Sequence, residues 1–493
     1  MSDCVSNVAG SWAPAEPSAS RVSPWLPRCV TALRWLLFLV AAWYFIWPIY
    51  RAFLNIDIQT NEGWNAFYAD AAFGRMPLYP SPDKLITNNY PPLSYYIVGG
   101  LGHLVGDPIL AGRLLSLAAV LVIGGAVAAS VRALGGDRVG AGVGGAVFVA
   151  TISRFCPSYV GMNEPQLLAH AIMSIGFVGF LRADAKNQSC LLPILLMAGA
   201  GFLKHNIISM PAAALLWLAS HKPREAAKCA LVSGAAVAAG FGLCFALYGH
   251  DFSTNMLAPR ECSWMRSWNS AGELQRISVA LAATILLGWF RRKDGRVRFT
   301  LLFVAIALGV FFLQRTGAGV EKNAIFDLLI ASSVAAGLAF SHAGRSSKTP
   351  LTASESQFGQ RPARGSTASV VQVAFLVLLL LRLSPLQRLS LNQTYRLFFD
   401  PTFQTEIAIR ERAIADSIAA VRAEPGAVMT SNFVCYRSGK PFTIDDFNTK
   451  QRILAGALPP DALTSLILSK KVSIVKKDRR GDWYDPLVKK ASQ

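Results

Sequence analysis

The chain has 493 residues, 53% of them hydrophobic and only 16% charged, with a net charge of +19 at neutral pH and a mean hydropathy of +0.37. Average soluble domains carry about 25% charged residues, so the deficit excludes an ordinary soluble enzyme and points to a lipid-embedded protein. Lys and Arg gather in short loops between apolar runs rather than on one face, which argues against nucleic-acid binding and fits the loop asymmetry of a membrane protein.

The first 28 residues lack a cleavable signal pattern, so the first apolar run is expected to stay as an anchor. Apolar runs long enough to approach the width of a bilayer core predict spans near residues 31–50, 108–130, 139–153, 165–182, 189–203, 206–220, 228–248, 275–290, 299–314, 324–341 and 369–384. Alternate loops differ in basic content. One side carries Arg21 and Arg28, then Arg132 and Arg138, Arg182 and Lys186, Lys222 to Lys228, Arg291 to Arg298, and Arg345 to Arg364. By the loop-charge rule that side is cytoplasmic. The N-terminus is then inside and the last ~110 residues outside, counting each predicted span as one crossing.

Residues 91–106 would invert this pattern if they crossed the membrane. They are short and Gly-rich, so they read as an amphipathic helix at the outer interface, with Tyr95 and Tyr96 suited to the headgroup level. Asp107-Pro108 then opens the second span, proline being suited to a first helical position. Residues 343–368 are rich in Ser, Arg and Gln and read as a flexible cytoplasmic loop. Beyond residue 385 the chain mixes polar and apolar residues, with a helical pattern over 404–423 and strand-like pieces at Val428-Met429-Thr430 and Val472–Val475. The expected architecture is an all-α polytopic membrane protein of about eleven transmembrane helices, its outer loop bearing interfacial helices, with a small C-terminal α/β extracytoplasmic domain. Its divisions are a cytoplasmic tail at 1–30, a transmembrane domain at 31–384 with the first outer loop at 51–107, and the outer domain at 385–493. The eight cysteines show no CxxC or zinc-ligand spacing, and Cys156, Cys262 and Cys435 on the outer side, an odd three, cannot all pair with one another; the spacing allows a disulfide there without indicating one.

Three polar clusters fall on the outer side. The first outer loop carries Asp57, Asn61, Glu62, Asp70 and Asp83 and ends in Asn88-Asn89-Tyr90-Pro91-Pro92-Leu93. The second is Asn163-Glu164-Pro165, where an ionisable residue at a span entrance is costly unless it is functional or paired. The third joins Lys204-His205-Asn206 to Arg315, Glu321, Lys322, Asn323 and Asp327. Glu62 and Glu164 also read as ordinary helix-start acids favoured by the helix dipole, and Lys204-His205 as a polar break between two spans. Carboxylates can act as general bases or metal ligands, and cations can neutralise a phosphate leaving group. Their gathering on one side suits group transfer at the membrane interface.

The series formed by the acidic loop, Tyr90-Pro91-Pro92-Leu93, Gly112-Arg113-Leu114-Leu115-Ser116, Asn163-Glu164-Pro165 and Gly201-Phe202-Leu203-Lys204-His205-Asn206 resembles the GT-C glycosyltransferase superfamily, in its protein mannosyltransferase-like and aminoarabinose transferase-like branch, over about residues 30–340. The resemblance implies a polytopic enzyme that moves a sugar from a polyprenyl-phosphate donor to an envelope glycan, lipid or protein on the extracytoplasmic face of a bacterial inner membrane. The family's acidic pair reads Asn61-Glu62 here, which leaves Glu62 or Asp57 as base, with Glu164 as a second acid. Lys204 is implied as a phosphate contact, joined by His205, Arg315, Asn61 and Tyr90, and Asn323 and Asp327 match a looser pattern. The implied reaction inverts the anomeric carbon, and Glu62→Gln is expected to keep the fold and abolish transfer. A divalent cation (Mg, Mn or Zn) is compatible with the loop but not required by it, and membrane lipids are expected partners. The rival from another class is a polytopic transporter or lipid-linked glycan flippase, which would place polar residues near the bilayer midplane.

Overall fold

Capping acids set where the membrane helices begin. Asp107 accepts from the Ile109 N–H ahead of Pro108, Asp137 from Gly140, Glu164 from Gln166 ahead of Pro165, and Asp294 from Arg296. Each side chain satisfies an N–H that the first turn leaves unpaired, and a proline at the first position has none to lose. The computed structural model describes residues 25–345, 364–386, 389–469 and 472–474.

The helices run, in order, α1 (Trp25–Ala52), α2 (Asn61–Ala71), α3 (Leu93–Val105), α4 (Pro108–Ala133), α5 (Arg138–Phe155), α6 (Pro165–Ala185) and α7 (Leu191–Ala200). They continue with α8 (Ser209–His221), α9 (Pro223–Met256), α10 (Trp264–Asn269), α11 (Ser278–Arg291), α12 (Gly295–Arg315), α13 (Phe326–Arg345) and α14 (Arg364–Leu383). Then come α15 (Gln393–Phe399), α16 (Pro401–Ala423), strand β1 (Ala427–Met429), α17 (Asn432–Arg437), α18 (Asp446–Leu454), α19 (Ala462–Leu468) and strand β2 (Val472–Ile474). Seven segments among the described residues are long and apolar enough to cross a membrane: α1, α4, α6, α9, Trp264–Arg291, α12 and Lys322–Gly344. The chain is a mostly helical, multi-pass membrane protein. The remaining predicted spans fall on α5, α7, α8 and α14, which lie outside that set.

Helix α13 forms the centre, with nearly all of its apolar window buried. It meets α5 closely because both helices carry small residues at the contact. A methyl group on Gly140 would lie 2.4 Å from the Gly337 carbonyl, and one on Gly337 would lie 2.6 Å from the Gly140 carbonyl. In a membrane, where burial of apolar surface no longer drives helices together, such close backbone approach supplies the packing energy. A second apolar cluster, including Leu37, Val147 and Leu376, ties α1, α5 and α14 together.

Helix α3, the Pro-Pro segment, has 13 residues, about 20 Å at 1.5 Å per residue and so short of the ~30 Å hydrocarbon core. It packs on α2, where a methyl on Gly99 would lie 2.5 Å from the Ala69 carbonyl. One expectation is corrected here. Tyr96 is exposed, but Tyr95 is only 2% exposed and donates to Asn88 Oδ1 at 2.9 Å. Its ring faces Trp64 and Tyr68 of α2 rather than headgroups.

Residues from the 427–452 stretch dock on the loop between α1 and α4. Strands β1 and β2 pair in parallel, Ala427 opposite Val472. Asp445 N–H donates to the Leu85 carbonyl at 2.7 Å, and Arg437 pairs with Asp107 at 2.8 Å. Gly63 marks the tightest point, since a methyl there would sit 2.2 Å from the Asn432 backbone. Overpacking of this kind costs about 1–3 kcal/mol. Gly63→Ala should therefore loosen α17 from α2, so that limited trypsin treatment cleaves the 389–469 region faster than in the parent protein. Equal cleavage rates would show that the contact is not made.

Candidate active site

The loop after α1 owes its shape to one buried arginine. Arg113, 2% exposed on α4, donates to the carbonyls of Ala52, Leu54 and Ile56 at 3.2, 2.7 and 2.6 Å. Its Nε and Nη2 hold both oxygens of Glu62 at 2.8 and 2.7 Å, and Glu62 is 0% exposed. Glu62 also accepts from the N–H groups of Ile58 and Asn163. A carboxylate with four donors in a bidentate buried pair has no lone pair left to offer a substrate. It ties together the loop, α2, α4 and the entrance of α6.

The loop so held presents Asp57 to a cavity of about 1310 Å³. Lining it are Asp57, Asn61, Tyr90, Glu164, Lys204, His205 and Asn323 from the predicted set, together with Trp64, Arg260, Glu321, Arg410, Asn432, Asp445 and Phe447. Asp57 keeps one carboxylate oxygen, Oδ1, buried and without a hydrogen-bond partner. Burial, reinforced by the nearby charge of Glu62 and opposed by Arg410 and Arg113, pushes its carboxyl up to about 6. A base poised near neutrality is what proton abstraction in water requires.

Lys204, 3% exposed in the turn between α7 and α8, donates to Glu164 Oε1 at 2.7 Å, and its Nζ lies 3.3 Å from the centre of the Tyr90 ring. Burial pulls the ammonium down, but Glu164 and Tyr90 outweigh it and raise its pKa, so it stays charged. The other oxygen of Glu164 caps α6 through the Gln166 N–H at 2.8 Å. Glu164 is thus both a helix cap and the partner of the cation. His205 is an exposed side chain that lines the same cavity, and its pKa is pushed below the ordinary histidine value by desolvation among the surrounding groups and by the charges of Lys204 and Arg260. It is a neutral imidazole at pH 7. Asn323 is fixed by Gln166, whose Oε1 accepts from Asn323 Nδ2 at 2.6 Å and whose Nε2 donates to the Asn323 backbone carbonyl at 3.0 Å.

Glu62, Arg315 and Asp327 do not line the cavity. Arg315 pairs with Glu273 at 3.1 Å and donates to Ser270 Oγ and the Val320 carbonyl, so it braces the loop after α12. Asp327 lies buried in α13, with Oδ1 3.4 Å from His170 Nε2. Arg260 and Arg410 are the cavity cations that sequence reading misses. Arg260 stacks 5.6 Å over the Phe447 ring, and Arg410 Nη2 donates to the Asp57 carbonyl at 2.9 Å. Neither sits in a local motif. The structural role of Arg113 did leave a sequence signal, because an arginine inside an apolar span needs a buried partner. Among the described residues no group of three His, Cys, Asp or Glu side chains is arranged to hold a metal ion.

Residues 89–247 match the family described as Dolichyl-phosphate-mannose-protein mannosyltransferase. Among solved structures, the chain is similar to ArnT from Cupriavidus metallidurans bound to undecaprenyl phosphate, at 14% identity, 86% coverage of this chain, 90% of that chain and a TM-score of 0.54. The apo form of the same protein matches at 14% identity over 88% of this chain and 90% of that one, also with a TM-score of 0.54. AglB from Archaeoglobus fulgidus matches at 11% identity over 87% of this chain and 65% of that one, with a TM-score of 0.48. No curated protein matches the chain.

Proposed function

We propose that this chain, a GT-C-type membrane glycosyltransferase by family match and fold, moves a sugar from a polyprenyl-phosphate donor to an envelope glycan, lipid or protein acceptor. The observation that carries this reading is a single cavity that sets a partnerless carboxylate oxygen of Asp57 near neutrality and a buried ammonium at Lys204 among the same walls. The undecaprenyl phosphate held by the ArnT structure supports the class of donor.

In this reading Asp57 removes the proton from the acceptor hydroxyl as its oxygen attacks the anomeric carbon. The bond from that carbon to the phosphate oxygen breaks, the configuration inverts, and polyprenyl phosphate leaves. Lys204 neutralises the charge that grows on the leaving oxygen, as preorganised cations do in a site that excludes bulk water. Arg260 and Arg410 supply the further positive charge that the sequence reading assigns to Arg315. Glu62 acts through Arg113 to position Asp57, and Glu164 positions Lys204. Asn61, Tyr90, His205 and Asn323 offer neutral contacts to the sugar, and Asp327 stays beneath the site.

The basic loops support about eleven spans in a bacterial inner membrane, with the N-terminus cytoplasmic. The cavity and the C-terminal α/β region at 385–493 then lie on the extracytoplasmic face. The transporter or flippase alternative is not supported, because the cavity gathers its charges at one end of the helices rather than midway. Purified protein in nanodiscs, given a labelled polyprenyl-phosphate sugar and envelope extract, should yield labelled product. Lys204→Met should lower that yield by about 10²-fold or more, the scale for losing one preorganised transition-state contact. The paired variant Lys204→Met with Glu164→Gln, which leaves no buried charge unpartnered, should fold like the parent and remain as inactive. Full transfer by the pair would remove Lys204 from the reaction.

A further inference from the structure

A groove unrelated to the cavity runs between α11, α13 and α14 and encloses about 1000 Å³. It shares no residue with the active-site cavity, and its size is at the upper end of the roughly 300–1,000 Å³ found for small-molecule pockets. Its walls are mostly apolar, with Ala282, Leu286 and Phe290 on one side and Val371, Phe375 and Leu378 on the other, and His342 and Gln372 are among the few polar side chains that line it. Leu286, Phe290 and Val371 are 56, 74 and 50% exposed, so they are open to whatever fills it.

The groove has one basic end. Arg291 lines it, and Arg291, Arg292 and Lys293 follow one another at exposed positions where α11 turns into α12. Among the described residues no ion pair engages any of the three. This end is opposite the active site, because α12 runs from Gly295 beside it to Arg315 beside the cavity loop. Helix α11 has 14 residues, about 21 Å at 1.5 Å per residue, more than the ~15 Å that half of a ~30 Å hydrocarbon core requires.

From this we infer that the groove binds an anionic diacyl phospholipid of the leaflet remote from the active site, its phosphate on Arg291–Lys293 and an acyl chain between α11, α13 and α14. The charge placement decides between lipid classes. A polyprenyl phosphate serving the reaction must bring its phosphate to the cavity at the other end, whereas a phospholipid of the near leaflet meets the basic end with its headgroup and the apolar walls with its chain. Such a lipid would add to the direct contact that α14 already makes with α11, beside its packing on α1, α5 and α13.

The test uses the full chain in nanodiscs of phosphatidylcholine with or without phosphatidylglycerol, with the lipids retained after release counted by native mass spectrometry. The parent protein should keep about one phosphatidylglycerol in preference to phosphatidylcholine. A triple exchange, Arg291→Glu, Arg292→Glu and Lys293→Glu, lies on exposed residues and should reduce that retention roughly tenfold to a hundredfold, since each basic residue near an anionic surface contributes about a factor of five. Ala282→Trp, which fills the groove from an exposed position, should abolish it while thermal unfolding stays like the parent's. Unchanged retention in the triple variant overturns the proposal, as does equal retention of phosphatidylcholine by the parent. Preferential retention of polyprenyl phosphate supplied in equal amount also overturns it.

Discussion

Replacing Glu62 with glutamine should lower the unfolding free energy by about 3–5 kcal/mol, the cost of removing one partner from a fully buried ion pair. The reason is Arg113, whose guanidinium holds both Glu62 oxygens and three loop carbonyls at 2% exposure. An amide cannot neutralise it. The measurement is thermal unfolding of detergent-solubilised or nanodisc protein beside the parent. A single carboxylate-to-amide exchange that unfolds the chain earlier marks a positioning residue. An unchanged melting temperature with transfer lost would instead restore Glu62 as the base, which is what reading the acidic loop by itself suggests.

The complementary exchange, Asp57→Asn, should leave unfolding at or slightly above the parent's stability and lower transfer by about 10²–10⁴-fold, the range for losing a general base. Its pH behaviour is distinctive. With its carboxyl near 6, Asp57 is protonated and inactive below that value, so parent transfer should rise with pH through about 6 and level off above it. The residual activity of Asp57→Asn should not show that rise. The stability sign runs the other way. A carboxyl whose folded value is raised from 3.8 to about 6 contributes stability that is fully present below the unfolded value and is lost as pH rises to the folded one, so the gain in the asparagine variant should grow between those two values and stay constant above about 6. A variant that keeps the rise near pH 6 would assign it to another group and end the case for Asp57.

Much of the helical framework was legible because it rests on local signals. The span predicted at 108–130 emerges as Pro108–Ala133, opened by the Asp107 cap and the proline after it. The helical pattern at 404–423 becomes α16, and the strand-like pieces near 428 and 472 become β1 and β2. The span predicted at 228–248 ends where α9 kinks, at Gly249 with its non-helical φ of 66°, and a further helical piece continues from there to Met256. The candidate site was legible in which residues gather and much less in what each one does. Glu62 and Asp57 lie five positions apart in one acidic stretch, and Arg113 on another helix, with the N–H groups of Ile58 and Asn163, saturates the first while one oxygen of the second has no partner. Arg410 and Asp445 reach the cavity from more than 300 residues downstream of Asp57. No periodicity or spacing in a chain reports such meetings, since they follow from tertiary packing alone.

The seating of α17 on Gly63 has a consequence for how the enzyme comes into being. The loop after α1 leaves the ribosome long before residues 410–448 are made, yet those residues form part of the cavity wall. Domains emerge in order from the N-terminus during synthesis, so for most of translation the acidic loop stands open to water without its wall. Only a finished chain carries the complete cavity wall, so the site is assembled after synthesis and not during it.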